Sequence, residues 1–429
     1  MMTKLSKQAV RPMRTLDPDG PLDDLEWLDD VVGKARVVAL GESSHYIAEN
    51  LQLRHGLTRY LVERHGFDAY AMETGFTEGW LVHNWVRTGE GSLGQAMAAG
   101  VTSLLGLWTQ LRAHLQWMRE HSPSVAFYGT DLGGSVVSLL PSLDAVTAYL
   151  AKADPDFELN PRLRETATAF AIPSAFSIPQ GLAAYGELAP EDRDALTAGL
   201  AELSARVTSR RLDYVRRTSV DDYERTLRSL REVVTIDMGL RHLVRGEQLG
   251  MLTIRDATST ETVEWLLHRH DRIVLGAHNG HVQRSPGTLP GTPQGVPPAT
   301  PMGLRLADRL GEDYVVIGVT MGSGQTLMEG PEFYEGKLFM DLEPPRPDSL
   351  DGLMAASHDG PFGVDLRRLP PEDTAKVGAV RQQRFGTQYL QLNPLGAYDA
   401  VVHLPHVRGA DPDQDVIAHS HPDVRKRFL

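Results

Sequence analysis

Val37-Val38-Ala39-Leu40-Gly41-Glu42-Ser43-Ser44-His45 is the stretch from which the fold and the chemistry of this chain are read. Its four leading apolar residues predict a short buried strand, and Gly41 ends it. Past the glycine the chain releases a carboxylate, Glu42, and an imidazole, His45. In open α/β sheets chemistry gathers just beyond the carboxyl ends of the strands, where a rigid scaffold presents the loops. Two later stretches repeat the design. Phe67-Asp68-Ala69-Tyr70-Ala71-Met72 delivers Glu73, and Arg272-Ile273-Val274-Leu275-Gly276-Ala277 delivers His278 and, three residues on, His281. Strand ends that carry these histidines and carboxylates predict one shared site.

Working outward, Ile47, Leu51, Leu57 and Leu61 fall near helical spacing over 46–64, and Gly66 closes that helix before the strand at 67–73. The result is a β-α-β unit. Helices are predicted at 22–32, 80–87 and 105–119, and a third strand at 124–129 leads into Thr130-Asp131. Residues 138–250 are almost wholly helical in pattern, broken by Pro155, Pro161, Pro173, Pro179 and Pro190. A further helix opens at Arg255-Asp256. Residues 284–302 hold six prolines among glycines and threonines and predict a surface loop, read as a lid or substrate-binding loop. A strong strand follows at 314–321 and a weaker one, placed at a sheet edge, at 397–404. The tail His419-Ser420-His421 is taken as a solvated terminus. The expected fold class is α/β: a central, mainly parallel sheet flanked by helices, with an inserted helical subdomain forming a cleft. Residues 1–137 and 251–429 would be the catalytic core and 138–250 the insertion.

The chain has 429 residues, 41% hydrophobic and 23% charged, as a globular protein does. Its net charge of -13 argues against nucleic acid or an anionic membrane as partner, since both need a basic footprint. With no cysteine there is no disulfide and no thiolate nucleophile or ligand. The N-terminal stretch has no apolar segment of signal-peptide type and no run spans a bilayer, so a cytoplasmic location is expected.

The G-x-S-x-G elbow, the H-E-x-x-H helix, the P-loop and the G-x-G-x-x-G fingerprint are all missing. What remains is a His/Glu constellation suited to acid–base chemistry on a water molecule. Each member has a plainer alternative. Glu42 could be a carboxylate at a helix N-terminus, His45 a structural histidine, and His278 and His281 partners of backbone carbonyls. Glu73 follows an apolar run where an unpaired carboxylate is costly, which favours function. Asp131 and Arg255 are also readable as a salt bridge between loops, and Arg54 and His55 as solvated or supporting residues. Glu49 shares a helix face with His45 and would orient its ring. The histidines at 65, 114, 121, 242, 268 and 270 are assigned to the surface.

Taken together, Gly41-Glu42-Ser43-Ser44-His45 with Glu49 and Arg54, Ala71-Met72-Glu73, Arg255-Asp256 and Ala277-His278-Asn279-Gly280-His281 resemble the erythromycin esterase family. The resemblance implies an α/β core with a helical subdomain and a cleft. It also implies hydrolysis of a macrolide lactone by water, as in antibiotic resistance, with no covalent serine intermediate and no cofactor or metal. His45, Glu73, His278 and Arg255 match the family's pattern. With them Glu42 and His281 complete the expected catalytic set, and Tyr46, Arg54, Asp131 and Asn279 the expected substrate-binding set. Two departures stand out. Tyr46 occupies a place where the family often has glycine, which would narrow the cleft. The R-D-x-x-M-x-x-N segment carries Ser259 and Thr262 in place of its methionine and asparagine. Both bear on the substrate, a macrolide or another lactone or ester. In the expected mechanism a neutral His278 or His45 takes a proton from water, Glu73 holds the water or the imidazole, and Arg255 with the second histidine stabilises the oxyanion. The alternatives are a biosynthetic cyclase or lyase at the same site, a metal hydrolase ligated by Glu42, His45, Glu73 and His278, and a binding protein that sequesters a hydrophobic ligand.

Overall fold

A computed structural model describes residues 4–288, 292 and 295–428 of the chain. Its strands, in chain order, are β1 (Arg11–Pro12), β2 (Val37–Leu40), β3 (Ala69–Gly75), β4 (Ala126–Asp131), β5 (Ile273–Gly276), β6 (Tyr314–Leu327), β7 (Phe339–Leu342), β8 (Phe362–Asp365), β9 (Gln382–Phe385), β10 (Gln388–Gln391) and β11 (Ala400–Val407). One sheet runs β1-β8-β11-β6-β2-β5-β3-β4, with β7 on β6, and β9 and β10 form a separate hairpin. The centre of the sheet is parallel: β11 with β6, β6 with β2, β2 with β5 and β5 with β3. Antiparallel pairs lie toward one side and at β7. The fold is α/β, with a central, mainly parallel sheet flanked by helices.

Every residue of β2, β3 and β5 is buried, as parallel strands covered on both faces must be. Their register sets up the site. Gly276 stands opposite both Leu40 and Met72, so β2 and β5 end level with Met72, one residue before Glu73 within β3. Glu42, Glu73 and His278 therefore emerge side by side. The helix after β2 runs Ala48–His65 and ends on Gly66 at φ 67°, whose N–H bonds to Leu61 and Val62 carbonyls. It starts two residues later than the spacing predicts, because Tyr46 is left-handed (φ 61°) and Ile47 is extended. β11 is an inner strand between β6 and β8, and not at the edge. The edge reading failed because β8, a four-residue strand, carries no pattern long enough to be seen in the sequence.

The chain divides into two compact units. The first comprises 1–73, 107–127 and 263–413 and holds most of the sheet; the second comprises 74–106, 128–262 and 414–429. Over 138–250 the second unit is helical, from Leu140–Ala153 to Val220–Val244. Leu143, Val146, Leu200, Leu203, Val233 and Ile236 are among its core residues. Pro161 and Pro190 start helices, where the missing N–H costs nothing. In the tail His419 and His421 are exposed, as expected, but Ser420 is buried and the segment is folded. It forms helices Gln414–His419 and Pro422–Arg425 of the second unit, and Asp423 accepts hydrogen bonds from Ser174 (2.5 Å) and Ser177 (2.9 Å). Of the proline-rich loop, residues 289–291, 293 and 294 lie outside the described residues, and Gly287 bridges Ala299 in the remainder.

Gly41 is glycine for want of space. A Cβ there would collide with the Asn279 side chain and lie 3.3 Å from the Ile317 carbonyl. Asn279 is wholly buried and cannot yield: its Nδ2 donates to the Val319 carbonyl (2.7 Å) and its Oδ1 accepts the Val319 N–H (3.1 Å). Gly41→Ala should therefore lose about 1–3 kcal/mol of stability, as overpacked core positions do. Urea denaturation measures it, and an unchanged midpoint would contradict this packing.

Candidate active site

The first unit brings Glu42, His45, Arg54, Glu73, His278 and His281 together. Glu42 Oε1 lies 2.6 Å from His45 Nδ1, and its Oε2 lies 3.1 Å from the Arg54 guanidinium. Both Glu42 and Arg54 are buried. Burial by itself would raise the Glu42 pKa. Arg54 and His45 outweigh it and hold the group below the ordinary carboxylate range, hence ionised. A carboxylate only accepts, so His45 Nδ1 carries the proton and the neutral ring keeps its lone pair on Nε2. That Nε2 lies 4.0 Å from Glu73 Oε1.

Glu73 is fixed from two sides. Its Oε2 accepts the His278 backbone N–H (2.7 Å), and its Oε1 lies 3.2 Å from His281 Nε2. The His278 ring is oriented by its own turn: Nδ1 accepts the Gly280 N–H at 3.1 Å, capping the short helix Asn279–Val282. Its single proton is thereby placed on Nε2. The two rings stand 5.3 Å apart and are treated oppositely. For His45, burial favours the neutral form, but the hydrogen bond to Glu42 and the charges of Glu73 and Glu42 prevail and raise the pKa above the ordinary histidine value. For His278, burial and the neighbouring His45 push the pKa down to about 4. One imidazole takes a proton more readily than an ordinary histidine, and the other stays neutral and donates from Nε2.

The remaining expected residues are placed as follows. Arg54, expected at the substrate, pairs with Glu42 and also approaches the Ala277 carbonyl (3.4 Å). Asn279, expected at the substrate, ties the loop after β5 to β6 and to Ser43 (3.1 Å). Tyr46 is buried beside His45 with its ring 5.3 Å from Trp108. Its left-handed backbone costs a non-glycine residue about 1–2 kcal/mol. Glu49 does not orient His45; it accepts the Arg408 N–H (2.8 Å), and Glu42 holds the ring instead. Asp131 and Arg255 lie in the second unit and form a two-pronged pair, Nε to Oδ1 at 2.8 Å and Nη2 to Oδ2. His114, assigned to the surface, is buried and stacks on His55 at 4.6 Å. Phe385, edge-on to His278 at 5.5 Å, and Trp108 enter from distant parts of the chain with no signal in the sequence. Among the described residues, no group of three or more His, Asp or Glu side chains is arranged to hold a metal ion. Among them, too, no helix is long and apolar enough to cross a membrane.

The family model described as erythromycin esterase matches residues 62–407. Erythromycin esterase type II of Escherichia coli is 27% identical over 414 residues, covering 92% of this chain and 94% of that protein. The type I enzyme of Escherichia coli is also 27% identical, over 70% of this chain and 74% of its own length. A mutant of the erythromycin esterase EreC in its open conformation shares the fold at a TM-score of 0.77 and 22% identity, covering 94% of this chain and 98% of that one. A crystal structure of a succinoglycan biosynthesis protein does so at 0.73 and 20%, covering 94% and 96%.

The buried Glu42–Arg54 pair yields a stability test. Arg54→Met leaves a buried carboxylate without its cation and should cost about 3–5 kcal/mol. The double variant Arg54→Met/Glu42→Gln should be less destabilised than Arg54→Met alone, because the stranded charge is gone. Thermal or urea unfolding reads both, and an Arg54→Met protein as stable as the parent would contradict the pairing.

Proposed function

The chain belongs to the erythromycin esterase family, and from that premise we propose that it hydrolyses a carboxylic ester or lactone, of a macrolide or a related compound, with water as the nucleophile. The observation that carries the reading is the opposite hydrogen-bonding of two adjacent imidazoles beside a fixed carboxylate: His45 Nδ1 faces Glu42, whereas His278 Nδ1 accepts the Gly280 N–H. His45 Nε2 and Glu73 Oε1, 4.0 Å apart, suit one water that donates a hydrogen bond to each. Two bonds of ordinary length from such a water enclose about 90°.

His45 Nε2 takes a proton from that water as its oxygen attacks the carbonyl carbon. The carbonyl π bond becomes an oxyanion, and His278 Nε2–H donates to it. The tetrahedral species then expels the alcohol oxygen, which collects the proton from His45. The products are a carboxylic acid and an alcohol, joined in one molecule when the substrate is a lactone. Glu42 keeps the base in one tautomer and stabilises it when protonated; His281 keeps Glu73 in place. Base assistance of this kind contributes on the order of 10²–10⁴-fold, and an oxyanion donor about 10²–10³-fold. Arg255, paired with Asp131 within the second unit, is given no step here.

Incubation with a panel of macrolides and simple lactones, read by mass spectrometry, should show a product heavier by one water. An isomer of unchanged mass would point to cyclisation, unchanged ligand held tightly to a binding protein, and activity lost on chelation to a metal hydrolase. His45→Gln, Glu73→Gln and His278→Gln should each lower kcat/KM by at least about 10²-fold. If all three keep near-parental turnover, the assignment is wrong.

The pH profile gives a second test. The base must be unprotonated, so activity falls as pH drops through the His45 pKa, above the ordinary histidine value. Glu42→Gln removes the Glu42 charge that helps raise that pKa and leaves Glu73 in place, so the acidic limb should move to lower pH as the maximal rate falls. A limb that stays in place or moves upward would contradict His45 as the base.

A further inference from the structure

Tyr46 is the residue next to the base, and nothing in the proposed proton transfers uses it. Its backbone sits at φ 61°, a conformation that glycine adopts freely and a bulky side chain does not. The conformation is imposed from both sides. Upstream, His45 is held by Glu42. Downstream, the chain is zipped to the segment after β11: the Ala410 N–H donates to the Tyr46 carbonyl (2.8 Å), Ile47 bridges Gly409, and the Ala48 N–H donates to the Arg408 carbonyl (3.0 Å). Outliers of this kind persist where the surroundings over-determine them, and they collect at functional sites.

The ring is as firmly held as the backbone. It lies 6.0 Å from the His45 ring and 5.3 Å from Trp108, which stands 5.9 Å from Phe339. Trp108 is wholly buried, and its backbone bridges Pro412. Phe339 rests over Gly409, where a Cβ would fall 2.6 Å from its ring. On the other flank of His45 stand His278 and then Phe385. The base is thus set between aromatic groups. The His45 side chain is 26% exposed, whereas Tyr46 is only 5% exposed. The Tyr46 ring thus flanks the imidazole and is packed against Trp108, which leaves it little room to swing aside.

We propose that Tyr46 sets the substrate class of this site: its ring is a fixed wall beside the base that admits esters slender or flat around the scissile carbonyl, such as aryl or small-ring lactones, in preference to bulky macrolides. The inference rests on the hydrolytic reading above and chooses among its substrates. Shape, and not the phenol hydroxyl, performs the selection.

The test compares kcat/KM on dihydrocoumarin, ε-caprolactone and erythromycin for the parent, Tyr46→Gly, Tyr46→Asn and Tyr46→Phe. Glycine and asparagine both tolerate the left-handed backbone, so one of them should keep the fold, checked by thermal melting. The parent should prefer the two small lactones over erythromycin by at least ~100-fold. Tyr46→Gly and Tyr46→Asn should narrow that ratio at least ~10-fold, mainly through faster erythromycin cleavage, and Tyr46→Phe should keep it. A parent that cleaves erythromycin as readily as dihydrocoumarin, or a ratio that neither variant moves, overturns the role of Tyr46 and leaves the hydrolase intact. A parent that cleaves none of the three overturns both.

Discussion

The arrangement depends on one buried ion pair. Glu42 sits just past the end of a strand in the interior, where an isolated charge is not tolerated, and Arg54, in the second turn of the following helix, neutralises it. The second oxygen of Glu42 is then available to grip His45. A single carboxylate thus joins strand, helix and imidazole, and fixes which nitrogen of the base faces Glu73. Taking two such groups out of water is expensive, and replacing both by apolar residues is often neutral for stability. The pair is explained by the orientation it enforces.

Packing around glycine makes that orientation possible. Gly41 lets Asn279 come in against β2, and Gly276 lets Arg54 and the Tyr70 hydroxyl press on β5, where a Cβ would stand 2.9 Å and 2.7 Å from them. Asn279 in turn binds both backbone groups of Val319. Glu73, within β3, and the segments after β2 and β5 that carry Glu42 and His278 lie beside one another, and their hydrogen bonds are made before any substrate arrives. Such preorganisation is what an oxyanion donor and a positioned base require.

The strands β2, β3 and β5 were legible in the sequence because each is built on a short apolar run closely followed by a polar residue, and the histidines and glutamates beyond those runs were legible for the same reason. The orientation of those groups was not. Glu49, four residues from His45 and on the expected helix face, was a reasonable partner. It lost to Glu42 because Tyr46 turns left-handed and delays the helix to Ala48. No sequence pattern announces that turn, since tyrosine is an unusual residue to make it. Arg54 was visible as a residue of the first helix, but its charge suggested solvent or substrate; only burial reveals its partner. Trp108 and Phe385 come from segments whose nearness to His45 is decided by the order of the sheet. The short strand β8, which makes β11 an inner strand, was likewise too brief to be seen.

The central claim is that two neighbouring imidazoles are held in opposite states, and nitrogen NMR of the histidine side chains in the intact protein tests it most directly. The account predicts that His278 is neutral at pH 7 with its proton on Nε2 and titrates only near pH 4, while His45 carries its Nδ1 proton throughout and titrates above the ordinary histidine value. A His278 that bears its proton on Nδ1, or that protonates before His45 as the pH is lowered, would contradict it.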